Sequence, residues 1–359
     1  MNTMKVNLGQ NSYDISFHSN FDKLCDVLRS INAPEKLLVV TDTNVLGLYA
    51  DEVCGILKKG GFDAVCYAFA AGEENKEMQS VLGICRACME HKMDRSSMII
   101  ALGGGVVGDM AGFAAALFMR GIRFVQVPTT LLSQSDSSVG GKTGVDFAGA
   151  KNILGAFWQP KHVYINVSTL KTLPQKEFIS GMGEVIKHGI IRDAEFYSWL
   201  DENRGSIKAL DAETLIRMSM TNCRIKANVV ELDEKESGMR AHLNFGHTIG
   251  HAIEAASNFT RTHGGCVGLG MIAAAYIAGR RGMITDTELE SIISMLDSYG
   301  FETRAELPEF DYIMQLMRAD KKSIGGTLKF VLPTSIGEVV SVKDVSDEEI
   351  TEALEFISL

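Results

Sequence analysis

The sequence predicts an α/β N-terminal domain with a Rossmann-like parallel sheet, followed by a mainly α-helical C-terminal domain. Three observations carry that expectation. Short β-branched runs alternate with helical patterns up to about residue 173. A glycine-rich turn, Gly103 to Asp109, sits between an apolar strand-like run and a helical pattern. Beyond Leu173-Pro174 the pattern becomes almost wholly helical. A length of 359 residues suits two domains, expected at 1–174 and 175–359.

The elements follow in order. Lys36 to Thr41 is a β-branched run closed by the turn-like Asp42-Thr43-Asn44, and a helix is expected from Val45 to Lys59. After Gly60-Gly61 come a strand over Ala64–Phe69 and a helix over about Lys76–Lys92. Ser97 to Leu102 is continuously apolar after its first residue, as expected of a parallel strand buried on both faces. A helix over Met110–Met119 and strands at Phe124–Val127 and Val163–Val167 complete the β-α-β rhythm. Gln175 to about Asp297 reads as helix, with Gly264 to Gly279 a buried helix too short for the roughly 20 residues of a bilayer span. Strands at Leu328–Leu332 and Gly337–Val340 flank Pro333-Thr334. The last helix opens on a capping box at Ser346-Asp347-Glu348-Glu349.

Composition narrows the function. The chain is 46% apolar and 22% charged, with a net charge of −10. Such an acidic chain is poorly suited to coat nucleic acid or an anionic membrane, so neither is expected as a partner. The first thirty residues show no continuous apolar run of the kind a signal peptide needs. Seven cysteines do not resemble a secreted disulfide framework. Cys85-x-x-Cys88 lies within a helical pattern and has no second pair, so it reads as apolar fill rather than a redox or zinc motif. A reducing, cytoplasmic setting is expected.

Two glycine-rich stretches point to phosphate. Gly103-Gly104-Gly105-Val106-Val107-Gly108-Asp109 matches G-x-G-x-x-G in a strand–turn–helix context, where the free N–H groups of a helix N-terminus favour an anion. The acid usually found about 20 residues on is absent, and the alternative is a tight turn that packs a helix on a sheet. Asp42 and Asn44 are candidates for a ribose or nicotinamide edge. Residues 132–152 concentrate Asp136, Lys142, Lys151 and Asn152 among glycines and hydroxyls. Gly140-Gly141-Lys142-Thr143 echoes the end of a P-loop, but Asp136 stands where its first glycine is required, which argues against a nucleoside triphosphatase. Two lysines on such a loop suit a phosphate ester.

Metal-type residues cluster later. His242, His247, His251 and His263 are closely spaced, and His247 and His251 share a helical face. Thr248 replaces the glutamate of H-E-x-x-H, so the general base of a metalloprotease is missing. Glu184, next to His188 on the same helical face, is a carboxylate candidate from another helix. Arg120, Lys142, Lys151, Lys187, Lys226, Arg240, Lys321 and Lys322 lie beside these motifs, which in so acidic a chain suggests a local cationic pocket for a multiply anionic small molecule.

Taken together, GGGVVGD (103–109), MRG (119–121), VPTTLLSQSDSSVGGKTGVD (127–146), KNILGAFWQP (151–160), LKTLP (170–174), GMGEVIKHGII (181–191), LNFGHTIGHAIE (243–254), HGGCVGLGM (263–271) and DKK (320–322) resemble the 3-dehydroquinate synthases. These are a branch of the sugar-phosphate cyclases, distantly akin to iron-type alcohol and glycerol dehydrogenases. The resemblance implies a divalent metal, zinc or cobalt, held by Glu184, His247 and His263, with His251 handling protons. It implies NAD held by Asp42, Asn44, Glu73, Lys76, Gly105, Val106, Val107, Gly108, Asp109, Thr129, Thr130, Lys142, Lys151, Thr169, Leu170, Lys171 and Thr172. Substrate phosphate is expected at Lys142, Asn152, Arg120 and one of Lys321 and Lys322, the carboxylate at Lys226 and Arg240, and the hydroxyls at Asp136, Lys187 and Asn244. Arg120 is expected to reach across the interface of a homodimer. Gly265 departs from the family's usual Glu, and His188 from its usual Tyr.

The implied reaction converts 3-deoxy-D-arabino-heptulosonate 7-phosphate to 3-dehydroquinate and phosphate, using NAD transiently. Oxidation of a hydroxyl acidifies the neighbouring carbon, phosphate is eliminated, the hydride returns, and ring opening and an aldol step follow. The alternatives are a related cyclase such as 2-deoxy-scyllo-inosose synthase, or a metal-dependent polyol dehydrogenase.

Overall fold

The computed structural model describes residues 2–233, 239–258, 260–322 and 328–359; the side chains of Met239 and of 319–322 are outside the description. The chain divides into two compact units, Met1–Leu173 with Leu210–Glu231, and Pro174–Ala209 with Leu232–Leu359.

The first unit holds β1 (Thr3–Val6), β2 (Tyr13–His18), β3 (Lys36–Asp42), β4 (Asp63–Phe69), β5 (Met98–Gly103), β6 (Arg123–Pro128), β7 (Lys142–Phe147), β8 (Ala150–Phe157) and β9 (His162–Asn166). Seven of them form one sheet in the order β1-β2-β9-β6-β5-β3-β4. Every neighbouring pair is parallel except β1 with β2. Helices cover both faces, so residues of either parity along β3 and β5 are buried. Leu38, Val40, Ile99 and Ala101 pack with Val107, Met110 and Ala114. Leu37, Val39, Ile100 and Leu102 pack with Leu24, Leu28, Val53 and Leu57 on the opposite face. That two-sided burial is why these strands read as unbroken apolar runs.

Three features depart from the sequence expectation. β1 and β2 form an antiparallel edge whose signal is weak, because β1 is only four residues long and Asp14 and Ser16 interrupt the apolar residues of β2. The stretch read as a glycine-rich loop contains the antiparallel hairpin β7–β8, whose strands approach so closely that a Cβ on Gly155 would stand 2.2 Å from the Thr143 carbonyl oxygen. Finally, the helix after β5 spans Gly105–Leu117 rather than starting at Met110, because backbone hydrogen bonding needs no apolar periodicity.

The first unit also takes in most of the helix Ala212–Leu232. Its buried polar face explains the attachment. Asn222 Nδ2 donates to the Ser135 carbonyl at 2.7 Å, and the Cys223 thiol to that of Gln134 at 3.2 Å. Cys85 and Cys88 are free thiols on the helix Met78–Glu90, and burial pushes the Cys88 thiol up to about 12, as befits packing groups.

The second unit is mainly helical. Gln175–Arg192, Ala194–Glu202, Arg204–Lys208, His247–Ala256, His263–Arg280, Asp286–Tyr299, Phe310–Lys322 and Asp347–Phe356 accompany the small antiparallel pair β10 (Phe330–Ser335) and β11 (Glu338–Val342). The expected capping box at Ser346 and Glu349 is present. His263–Arg280 is the central helix, with 13 of its 18 residues buried. Among the described residues no helix is long and apolar enough to cross a membrane.

Candidate functional site

The parallel strands of the first unit deliver their carboxyl ends to one edge of the sheet. β3 ends at Asp42, β4 leads to Glu73 and Lys76, β5 to Gly105–Asp109, β6 to Thr129-Thr130, and β9 to Thr169–Thr172. The residues expected to hold NAD therefore share an edge, except Lys142 and Lys151 on the hairpin. Chain order reverses between β3 and β5, the switch point where open α/β sheets bind ligands. The helix Gly105–Leu117 opens there on an extended Gly104 with no side-chain cap, leaving its first N–H groups available to an anion.

Several of these side chains are already engaged. Asp42 Oδ1 accepts from the N–H groups of Asn44 and Val45, both at 2.9 Å. Thr169 Oγ1 donates to the Asn166 carbonyl at 2.9 Å and accepts from Gln134 Nε2 at 3.0 Å. Thr172 pairs with the Tyr49 hydroxyl, and Leu170 is buried in the core. Gln134 and Tyr49 were not anticipated, since isolated polar residues carry no periodic signal.

Lys76 is the charged centre of this unit. It is 5% exposed, with Nζ 2.7 Å from Asp109 Oδ2 and 2.6 Å from Asn152 Oδ1. Burial works against its ammonium, but Asp109 more than offsets this, so its pKa lies above the ordinary value. Asn152 sits in the left-handed region at φ 53° and its N–H donates to Asp146 at 2.7 Å. The structure thus joins Asn152, expected at substrate phosphate, to Lys76, expected at NAD, and through it to Asp109. Lys151 lies 3.9 Å from Glu73 Oε1, and Lys142 is exposed at the start of β7. Asp136 lies in a π-turn, Ser133–Ser137, and receives Lys226 Nζ at 2.6 Å on its carboxylate and 2.5 Å on its carbonyl. Arg120 is exposed beside Met119, both left-handed, at φ 67° and 52°.

In the second unit, two close helix approaches build a histidine and carboxylate cluster. A Cβ on Gly264 would stand 2.0 Å from the Ser180 carbonyl oxygen, and one on Gly270 would stand 1.9 Å from that of Gly246. The first contact sets the start of His263–Arg280 against Gln175–Arg192, one turn before Glu184. The second sets it against His247–Ala256. The rings of His247, His251 and His263 consequently lie 5.0, 5.4 and 5.5 Å apart, centroid to centroid.

Glu184 is 1% exposed. One carboxylate oxygen pairs with Lys187, a turn along the helix. Its other oxygen, Oε1, is buried without a hydrogen-bond partner and lies 3.5 Å from His247 Nε2 and 3.9 Å from His263 Nε2. Both histidines are tethered at the opposite nitrogen, His247 Nδ1 at 3.0 Å from the Phe245 carbonyl and His263 Nδ1 at 3.1 Å from Glu254 Oε2. Burial, then the charges of Lys187, His251 and His263, hold the His247 pKa well below its usual value, keeping the imidazole neutral with a lone pair at Nε2. One carboxylate oxygen and two imidazole nitrogens therefore converge, a donor set that fits a zinc-type ion with an open position. His251 also falls within metal-ligand reach of His247 and His263.

Glu254 was not singled out from sequence, although it lies seven residues beyond His247 and three beyond His251, on the same helical face. Arg240 is buried, its N–H donating to Asp233 at 3.1 Å, whereas Asn244 is exposed. The side chains of Lys321 and Lys322 lie outside the described residues.

Comparison with known proteins agrees with the resemblance. Residues 66–180 match the profile described as 3-dehydroquinate synthase N-terminal, and residues 181–323 the one described as 3-dehydroquinate synthase C-terminal. The chain is 48% identical over 348 residues to a 3-dehydroquinate synthase of Acetivibrio thermocellus, covering 97% of this chain and 96% of that one. Its fold resembles 2-epi-5-epi-valiolone synthase from Streptomyces hygroscopicus subsp. jinggangensis, a structure with NAD+ and Zn2+ bound, at TM-score 0.88 and 26% identity over 96% of each chain. It also resembles a 2-deoxy-scyllo-inosose synthase complexed with carbaglucose-6-phosphate, NAD+ and Co2+, at TM-score 0.85 and 24% identity over 98% of this chain and 99% of that one.

Proposed function

This chain belongs to the 3-dehydroquinate synthase family, and from that premise we propose that it converts 3-deoxy-D-arabino-heptulosonate 7-phosphate to 3-dehydroquinate and phosphate, as a carbon–oxygen lyase. The observation that carries the reading is the unpartnered Oε1 of Glu184 facing the Nε2 atoms of His247 and His263. A buried carboxylate oxygen without a donor is costly unless a cation supplies the missing contact.

Glu184, His247 and His263 would hold zinc or cobalt, which when bound acts as a Lewis acid toward substrate oxygens. The NAD+ and Zn2+ in the Streptomyces structure support both groups here. The strand-end edge around Gly105–Asp109, with Lys76, Thr129 and Thr130, would hold NAD, which accepts and returns one hydride within each turnover.

The protein's own groups do the rest. Lys187 balances the charge of Glu184 and would steady a developing oxyanion. His251, exposed beside the two proposed histidine ligands, handles protons at the substrate hydroxyls. Lys142, Asn152 and Arg120 bind the phosphate, and Lys226 and Arg240 the carboxylate. Two cationic groups for an acid favour this substrate over the hexose phosphate of 2-deoxy-scyllo-inosose synthase. Asp136 and Asn244 orient hydroxyls. The exposed Phe147, Ile153 and Phe157 of the hairpin support a homodimer, and a cytoplasmic location suits such an activity.

Phosphate release from the heptulosonate phosphate tests this directly. Release is expected only with both NAD and metal, with no net absorbance change at 340 nm. Stoichiometric accumulation of NADH would favour a polyol dehydrogenase instead.

A further inference from the structure

We propose that Glu254 is a positioning residue for the metal centre: its carboxylate accepts a hydrogen bond from the Nδ1–H of His263 and so fixes the ring with Nε2 turned toward Glu184. The proposal rests on the reading of Glu184, His247 and His263 as the ligand set.

The geometry is specific. Glu254 is 6% exposed, and its Oε2 lies 3.1 Å from His263 Nδ1, while His263 Nε2 lies 3.9 Å from Glu184 Oε1. The imidazole is therefore held between two carboxylates that meet opposite nitrogens. A carboxylate at Nδ1 selects the tautomer with its lone pair at Nε2 and increases the basicity of that nitrogen. His247 is tethered in the same sense, but by the neutral Phe245 carbonyl at 3.0 Å. The two imidazoles thus enter the site with different donor strength, His263 being the more strongly polarised. Glu254 also ties two helices together, His247–Ala256 and His263–Arg280, at the point where both contribute a histidine.

A burial role alone would make Glu254 replaceable by glutamine, which has the same shape and keeps a carbonyl acceptor. The positioning role would not survive that change unaltered, because the neutral amide polarises the ring less and can rotate to present its NH2 to Nδ1.

The test compares E254Q and E254D with the unaltered chain, using zinc affinity by competition with a chromophoric chelator and the visible spectrum of the cobalt-loaded protein. Zinc binding by E254Q is expected to weaken about ten- to hundred-fold, with NAD affinity and the melting temperature of the metal-free protein unchanged. The cobalt bands should shift, and E254D, which keeps the carboxylate on a shorter arm, should recover part of the affinity. Should E254Q not fold, E254D decides, with weaker zinc binding and shifted cobalt bands expected. Zinc affinity within two-fold of the unaltered chain in the folded variant overturns the role of Glu254. Failure of the unaltered chain to bind one metal ion overturns instead the ligand set beneath it.

Discussion

Each unit holds buried or half-buried histidines, and their neighbours separate the two cases. In the first unit His162 on β9 is 4% exposed, bonds Ser16 Oγ through Nε2 at 2.7 Å, and has no partner at Nδ1. His18 stacks on Tyr164 with centroids 4.2 Å apart. Among the described residues no ion pair joins a carboxylate to either ring. In the second unit His247 and His263 lie beside Glu184, and His263 is also paired with Glu254. Imidazoles alone make a packed, neutral core. The same imidazoles with carboxylates converging on them make a place for a cation.

Breaking the second set should have the largest effect. His247→Ala is expected to lose metal and activity together, with kcat/KM falling by at least about 10²–10³-fold, the scale of losing one preorganised electrostatic contact. Elemental analysis and phosphate-release kinetics on the same preparation check this, and unchanged zinc content would remove His247 from the ligand set. His162→Gln should leave metal content unchanged.

The first set should respond to acid instead. Burial, then the nearby His18, lowers the His162 pKa to about 4 from an ordinary 6.5. The unfolded chain therefore binds this proton at higher pH than the folded one. The stability it confers is intact above pH 6.5 and is lost as pH falls toward 4, by about 3 kcal/mol in total. Urea unfolding between pH 7 and pH 4 measures the slope. In His162→Gln the total loss between pH 7 and pH 4 should be smaller by that amount, and an unchanged loss would show that other groups dominate acid unfolding.

How much of this was legible in the sequence depends on the range of the signal. β3, β5 and β6 announce themselves as apolar runs because both faces are buried, and the cluster of histidines is visible as a local density. The partner of His263 was not, because Glu254 acts across a helix pair whose approach is set by Gly264 and Gly270, and no spacing within one helix encodes that contact. The hairpin β7–β8 was missed for a related reason: its glycines serve strand pairing, whereas in sequence they resemble a phosphate-binding loop. The attachment of Ala212–Leu232 to the first unit likewise rests on Asn222, Cys223 and Lys226, polar contacts made some ninety positions away from their partners.

The smallest effect concerns Ser16. Its hydroxyl and the His162 imidazole are both buried, and Ser16→Ala would leave the ring without its partner at Nε2 as well as at Nδ1. An unsatisfied polar group of this kind costs roughly 1–2 kcal/mol. The loss should be nearly constant above pH 6.5, because burial, the main cause of the lowered His162 pKa, survives the substitution. It should also disappear against a His162→Gln background if that pair is all the hydroxyl serves. Equal losses in both backgrounds would mean that Ser16 contributes through packing in β2, and that His162 is held neutral by its apolar surroundings without help from the hydroxyl.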